Sequence, residues 1–235
     1  TAEYDTAISA WMSRSYQPQF PYTLQLNYAH VEDLRYGENP HQQAALYDDP
    51  TSGDPSVVSA KLLNGKTLSY NNILDGAAAM GVVRDVDATS HGRPAASVIK
   101  HNNPCGAAVA HTLQQAFVNA YEGDPLAAYG GILALSAPVD RDTAESIVDG
   151  NKFIEVILAP SFDDVAIDTL AARWANVRLL EVADMHDRVS KAVDYRSVPG
   201  GMLVQQRDLK TADPETWVHA AGPEPDDALL ADCIS

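Results

Sequence analysis

The reading of this chain turns on four short runs: Ala95-Ala96-Ser97-Val98-Ile99-Lys100, Gly131-Ile132-Leu133-Ala134-Leu135, Phe153-Ile154-Glu155-Val156-Ile157-Leu158 and Val177-Arg178-Leu179-Leu180-Glu181-Val182. Each is largely apolar, rich in aliphatic residues, and short enough to be a strand rather than a helix, as expected of strands buried on both faces. Between them the apolar spacing changes. Thr112 to Tyr121, Asp142 to Val148 and Val165 to Trp174 repeat at the helical period. Strands separated by helices of about 10 residues predict an α/β fold with a layered sheet covered on both sides.

Outward from that centre, Asn72 to Val86 reads as a helix with Ile73, Ala77, Met80 and Val83 to Val86 on one side. Leu24 to Tyr28 and Ala44 to Tyr47 have the character of strands. Glu3 to Arg14 carries Tyr4, Ala7, Ile8, Trp11 and Met12 at helical spacing, and the polar, proline-containing Ser15 to Pro21 breaks it. A domain is therefore expected from Tyr22. At the other end, Pro223 to Asp227 reads as a loop with an N-cap. It opens a helix, Ala228 to Ile234, which stops at Ser235 without a capping signal. With no initiator Met at Thr1, the chain reads as cut from a longer protein.

Composition narrows the function classes. Sixteen basic against 32 acidic side chains leave a net charge of −16 across 235 residues. Such a surface repels phosphate backbones and anionic membranes, so neither nucleic acid nor a membrane is an expected partner. A local cluster of cations and free amides still suits a small anion. No apolar run reaches the length of about 18 residues that a membrane span needs. The N-terminus has neither the basic start nor the apolar stretch of a secretory signal. Two cysteines, Cys105 and Cys233, form no disulfide framework, and a reducing cytoplasm is the simplest home.

Three polar clusters are candidates for chemistry. Lys100-His101-Asn102-Asn103-Pro104-Cys105-Gly106 follows directly on an apolar strand, and ligands of open α/β sheets bind beyond the carboxyl ends of strands. A lysine there can hold its cation over developing negative charge, and a histidine beside it titrates near neutrality. Pro104 and Gly106 suit a tight turn, with free amides at the next helix start. The same residues also suit an ordinary turn with two solvated side chains, and spacing does not choose. Leu34-Arg35-Tyr36-Gly37-Glu38-Asn39-Pro40-His41-Gln42 offers a guanidinium fork and an aromatic face, or simply a surface turn. Gly65-Lys66-Thr67-Leu68-Ser69-Tyr70-Asn71-Asn72 is a polar turn feeding a helix. It is a poor phosphate-binding loop, because position 60 is Ala where the upstream glycine belongs. A zinc deaminase site fails as well. His30-Val31-Glu32 and Pro104-Cys105 supply fragments of the pattern, but position 108 is Ala, so no metal is expected.

In order along the chain stand residues 35–42, Leu68-Ser69-Tyr70-Asn71-Asn72-Ile73-Leu74-Asp75, residues 100–106, Asp124-Pro125-Leu126-Ala127-Ala128-Tyr129-Gly130-Gly131 and Phe153 to Pro160. Together these motifs resemble the transformylase half of the bifunctional AICAR transformylase/IMP cyclohydrolase family of purine biosynthesis, from about Tyr4 to the C-terminus. The resemblance implies a three-layer αβα, cytidine-deaminase-like subdomain over residues 22–222. Residues 1–21 would then be a helix and linker from a cyclohydrolase domain, and residues 223–235 the start of a connection to a second subdomain. It also implies formyl transfer from 10-formyltetrahydrofolate to the 5-amino group of AICAR nucleotide in IMP biosynthesis. In that reaction His101 would be the proton acceptor and Lys100 the transition-state stabiliser. Arg35 and Tyr36 would contact the nucleotide, and Gly131, Glu155, Asn102 and Asn71 would be further substrate contacts. Family enzymes are homodimers with shared sites, so this chain alone is expected to have little activity. The alternatives are a nucleotide-binding half-domain without chemistry and a purely structural half.

Overall fold

The computed structural model describes residues 4–5, 8, 20, 22–50, 52–183, 185–186, 193–210, 213–227 and 229–230. Of the helix expected over Glu3 to Arg14, Tyr4, Asp5 and Ile8 are helical and the other positions lie outside the described residues. The same holds for the linker at Ser15 to Pro21, apart from Phe20, and for the end of the chain after Leu230. The chain divides into two compact units, Thr1–Gly53 and Asp54–Ser235.

The first unit is built on an antiparallel hairpin of β1 (Ala29–Leu34) and β2 (Ala44–Asp48). The strand expected at Ala44 is present. The one expected at Leu24 to Tyr28 is not, and pairing begins only at Ala29, opposite Asp48. The ladder ends where Ala29 pairs with Asp48, the last residue of β2. A bulge at Val31 lets His30 pair with Tyr47 and Glu32 with Leu46.

The second unit contains a six-stranded sheet in the order β3-β8-β7-β6-β4-β5. Its elements are β3 (Lys61–Asn64), α1 (Tyr70–Ala88), β4 (Ala95–Lys100), β5 (Asn103–Val109), α2 (Leu113–Glu122), α3 (Pro125–Ala128), β6 (Gly131–Leu135), α4 (Arg141–Val148), β7 (Ile154–Ala159), α5 (Asp164–Arg173) and β8 (Arg178–Glu181). β6, β7 and β8 are parallel, as α/β alternation requires. β4 runs antiparallel to β6, β5 antiparallel to β4, and β3 antiparallel to β8. A separate hairpin, β9 (Val193–Val198) with β10 (Gly201–Gln206), follows.

The sheet is covered on both faces, as the apolar runs predict. One layer joins Ala79, Met80 and Val83 of α1 to Ile99, Ile132, Val156, Leu158 and Leu180. The other joins Phe117 and Ala120 of α2, Ala144 and Ile147 of α4 and Leu170 of α5 to Val98, Leu133, Ile157 and Leu179. Neighbouring residues of one strand appear in opposite layers, which is the period-2 rule of a strand. Full burial of such side chains stabilises by about 1.5–3 kcal/mol each before conformational entropy is charged. Even the polar Ser97 inside β4 is satisfied, donating from Oγ to the Ala79 carbonyl of α1 at 2.9 Å.

The turn and helix start expected at Pro104 to Gly106 are not there. These residues belong to β5, at the edge of the sheet, and the next helix begins at Leu113, capped by Thr112, whose Oγ1 accepts from the Gln115 amide at 3.2 Å. An edge strand tolerates the proline, since its missing N–H need not face a neighbour. Gly106 has a packing reason: a Cβ there would lie 2.1 Å from the Ala120 carbonyl oxygen of α2.

Candidate functional site

Reversal of β4 against the parallel strands decides where chemistry can gather. The carboxyl end of β4 lies beside the amino end of β6, because Ile99 pairs with Ile132. The amino ends of β7 and β8 continue the same rim, with Gly131 opposite Ile154 and Val156 opposite Arg178. Helix α1 presents its N-terminus there too, because the Arg178 Nε donates to the Thr67 carbonyl just before the helix at 3.4 Å. The polar cluster that begins at Lys100 follows the carboxyl end of β4, as expected. The other strands offer their amino ends.

Along this rim stand Lys100, His101, Asn102, Asn71, Gly131 and Glu155, so the structure brings together six of the eight residues selected from sequence. Lys100 is the last residue of β4, after five buried ones. Its Nζ donates to the Tyr129 carbonyl at 2.7 Å, which anchors the cation over the β6 entry. Gly131 is buried there, and a Cβ on it would lie 2.9 Å from the Ile99 carbonyl oxygen and 3.0 Å from that of Ala128. Only a residue without a side chain lets β4, α3 and β6 close up at this point.

His101 and Asn102 form the two-residue turn of the β4–β5 hairpin, with Lys100 paired to Asn103. Both have left-handed backbones, φ 52° and 62°. Two positive φ values in succession are what a two-residue type I′ hairpin turn requires, and glycine or asparagine ordinarily supplies them. Asn102 fits that preference; a histidine in the first position carries a steric cost. The turn is held from α1: Asp75 accepts from the Asn102 amide at 2.8 Å and from the His101 amide at 3.3 Å. The Asn103 side chain adds a third tie, donating to the His101 carbonyl at 2.9 Å. The His101 side chain is exposed and, among the described residues, takes no hydrogen bond.

α1 begins with a capping box in which Ser69 accepts from the Asn72 amide and the Asn72 side chain accepts from the Ser69 amide. Asn71 lies in the first turn and is exposed, one turn before Asp75 on the same helix face. Glu155 falls where β7 gains one residue over β6, since Gly131 pairs with Ile154 but Ile132 with Val156. Such a bulge re-aims a side chain. Glu155 Oε1 accepts from Arg178 Nη1 at 3.0 Å, and that arginine is largely buried. Tyr129, Phe153 and Trp174 line the rim as a row of tilted and edge-on rings, with centroids 5.6 and 5.8 Å apart.

The remaining pair lies in the first unit. Arg35 and Tyr36 follow β1, and the Arg35 Nη2 donates to the Tyr36 hydroxyl at 2.8 Å while its guanidinium carbon sits 4.6 Å from the ring centre. The loop beyond is closed by the Gly37 amide on the Gln42 carbonyl at 2.9 Å and the Asn39 amide on Gln42 Oε1 at 2.7 Å. The guanidinium and the ring together offer cationic donors beside an aromatic face, which suits an anionic or planar ligand.

Among perturbed groups on the rim is Cys105. Burial and then the Asp124 carboxylate push its thiol up, and the Lys100 ammonium pulls it partly back. A thiol so placed is neutral at pH 7 and a poor nucleophile. Among the described residues, no three His, Cys, Asp or Glu side chains gather as a metal set. His30 instead lies 3.1 Å from Asp33 and packs edge-on against Tyr47. Asp75, Tyr129 and Arg178 stand within the runs and motifs quoted from the sequence, but no role is assigned to them there. Asp75 had a signal, four residues after Asn71 on one helix face; Arg178 had none, since its partner is 23 positions away.

Comparison with known proteins matches residues 1–234 to the family described as AICARFT/IMPCHase bienzyme. The bifunctional purine biosynthesis protein PurH of Rhodopirellula baltica is 42% identical over 99% of this chain and 44% of its own length. That of Shouchella clausii is 44% identical over 88% of this chain and 39% of its own, and that of Oceanobacillus iheyensis 38% identical over 100% and 44%. The chain spans less than half the length of these relatives.

Proposed function

The chain belongs to the AICARFT/IMPCHase bienzyme family, and from that premise we propose that it carries part of the formyl-transfer site of a bifunctional purine-biosynthesis enzyme. The donor is 10-formyltetrahydrofolate and the acceptor the 5-amino group of AICAR nucleotide. The observation that carries this reading is the rim itself, where an anchored ammonium and an exposed imidazole stand on consecutive residues of a constrained turn. The relatives, each named as a bifunctional purine biosynthesis protein, favour the enzyme over an inactive nucleotide-binding half-domain.

An aromatic amine conjugated to a carboxamide is a weak nucleophile, so loss of its proton must accompany attack on the formyl carbon. Attack forms the new C–N bond and a tetrahedral intermediate, whose collapse breaks the bond from that carbon to the folate nitrogen, and the folate nitrogen takes up a proton. His101 accepts the amine proton, a role worth about 10²–10⁴-fold. Lys100 faces the oxyanion that develops on the formyl oxygen. Arg35 and Tyr36 hold the nucleotide through its charge and its ring, and Asn71, Asn102, Gly131 and Glu155 contact its base and polar groups. Residues 22–222 make a cytidine-deaminase-like αβα subdomain, residues 1–21 a helix and linker from a cyclohydrolase domain, and residues 223–235 the start of a link to a second subdomain. A homodimer with a shared site in the cytoplasm completes the reading.

The test is formyl transfer by the full-length protein that contains this chain. His101→Ala should lower kcat by about 10²–10⁴ and leave nucleotide affinity within about tenfold of the parent. A kcat near that of the parent would remove His101 from the mechanism.

A further inference from the structure

Two left-handed residues in succession, one of them a histidine, need a restraint, and the structure shows which group supplies it. His101 and Asn102 have φ of 52° and 62°, a region that asparagine tolerates and a histidine enters at a steric cost. Hairpin pairing ends at Lys100 and Asn103, so the ladder itself does not hold the two intervening amides. Both are taken by one carboxylate, Asp75, at 3.3 and 2.8 Å. A carboxylate has two oxygens and accepts without donating, so it suits two adjacent N–H groups turned the same way. Asp75 is fixed in turn by a well-anchored helix. Its neighbours Gly76 and Ala79 are buried in α1, and Ala79 also accepts from Ser97 of β4. The opposite face of the sheet supplies the second tether, from Lys100 to the Tyr129 carbonyl.

We infer that Asp75 is a positioning residue of the formyl-transfer reaction, which holds the His101–Asn102 turn in its left-handed form and so aims the His101 imidazole at the reacting amine. The inference rests on the function proposed above. Asp75 touches no reacting atom; it acts through the backbone of the histidine. Displacement of a catalytic group by about 1 Å can cost about 10²-fold in rate. Loss of one oxygen's acceptor strength at the turn moves His101 without emptying the core.

The experiment is Asp75→Asn in the full-length protein, with four readouts: kcat and KM for formyl transfer, the IMP cyclohydrolase rate, the melting temperature, and amide hydrogen exchange at His101 and Asn102. The asparagine keeps the shape but loses the charge and one acceptor. The expected result is a kcat lowered by about 10–100-fold, with KM for AICAR nucleotide within about threefold, the cyclohydrolase rate unchanged and faster exchange at the two turn amides. A kcat within twofold of the parent overturns the inference. So does a fall in melting temperature with both activities declining in parallel, which assigns Asp75 to general stability. Asp75→Ala supplies the second variant, since it removes both acceptors. Its kcat should fall at least as far as that of Asp75→Asn, with the cyclohydrolase rate again unchanged and exchange at the two turn amides faster still; a kcat above that of Asp75→Asn counts against the restraint. Absence of formyl transfer in the parent protein sinks the functional reading instead, and unchanged amide exchange in Asp75→Asn then sinks the restraint independently.

Discussion

Two aspartates of the second unit do the same elementary job in different places. Asp140 precedes α4 and accepts from the amide of Thr143, three residues on, at 2.9 Å. Asp75 sits inside α1 and accepts from two amides 26 and 27 residues away, in another element. The first satisfies an orphan donor of its own helix, a purely local service. The second closes a turn that its own residues disfavour. The difference separates a part that makes the fold from one that aims a side chain. Damage at the Asp140 cap should appear in stability with the rate intact, and damage at the hairpin tip in rate with stability intact.

The largest effect expected within this comparison comes from the tip. Lys100→Met removes the cation and its tie to the Tyr129 carbonyl. It should lower formyl-transfer kcat by about 10²–10³, the usual cost of losing one oxyanion donor. Steady-state kinetics beside a thermal melt would check it; a melting temperature down by many degrees with kcat preserved would invert the assignment of the two regions.

Next in size is the cap. Asp140→Ala should cost about 1 kcal/mol of stability, measured by denaturant titration, and should leave kcat unchanged. Hydrogen bonds from Thr143 hold the Asp140 carboxyl below its ordinary value of 3.8. A carboxylate lowered in the folded state stabilises fully above its unfolded pKa, and the contribution fades as pH falls through the folded pKa. The gap between parent and Asp140→Ala should therefore be constant near neutrality and narrow below about pH 4. Asp140→Asn, which caps without ionising, should remove most of that pH dependence; persistence of it would place its origin elsewhere.

The smallest effect sharpens the picture of Lys100. Its ammonium lowers a Cys105 thiol that burial has raised. Alkylation of Cys105 near pH 8.5, followed by site-resolved mass spectrometry, should therefore be slower than for a free thiol. It should slow by about a further two- to threefold in Lys100→Met, as expected of one partly screened charge. An unchanged rate would mean that the Lys100 charge does not reach the β5 side of the sheet.

Legibility in the sequence followed the range of the interactions. The runs at 95–100 and 131–135 coincide with β4 and β6, and the helices at 112–121, 142–148 and 165–174 fall within a residue of α2, α4 and α5. Burial on both faces writes itself into consecutive residues, so those elements were plain. β3 and β5 were not, because an edge strand buries one face at most and carries residues such as Asn103 and Pro104 that read as a turn. The hairpin of β9 and β10 was missed for the same reason, with Tyr195, Val198, Met202 and Leu203 exposed on it.

By itself the sequence determined the α/β class, the two-sided core, the family through its ordered motifs, and the neighbourhood of Lys100 and His101 in the chain. The tertiary structure decided that β4 runs against β6, and hence that one rim mixes the carboxyl end of β4 with the amino ends of β6, β7 and β8. It also decided that His101 lies in a left-handed turn held by Asp75. The reason is physical. Periodicity records which faces are buried, and a buried strand looks the same in either direction. Strand direction and the aim of a side chain depend on hydrogen bonds between residues far apart in the chain, and these leave no local pattern.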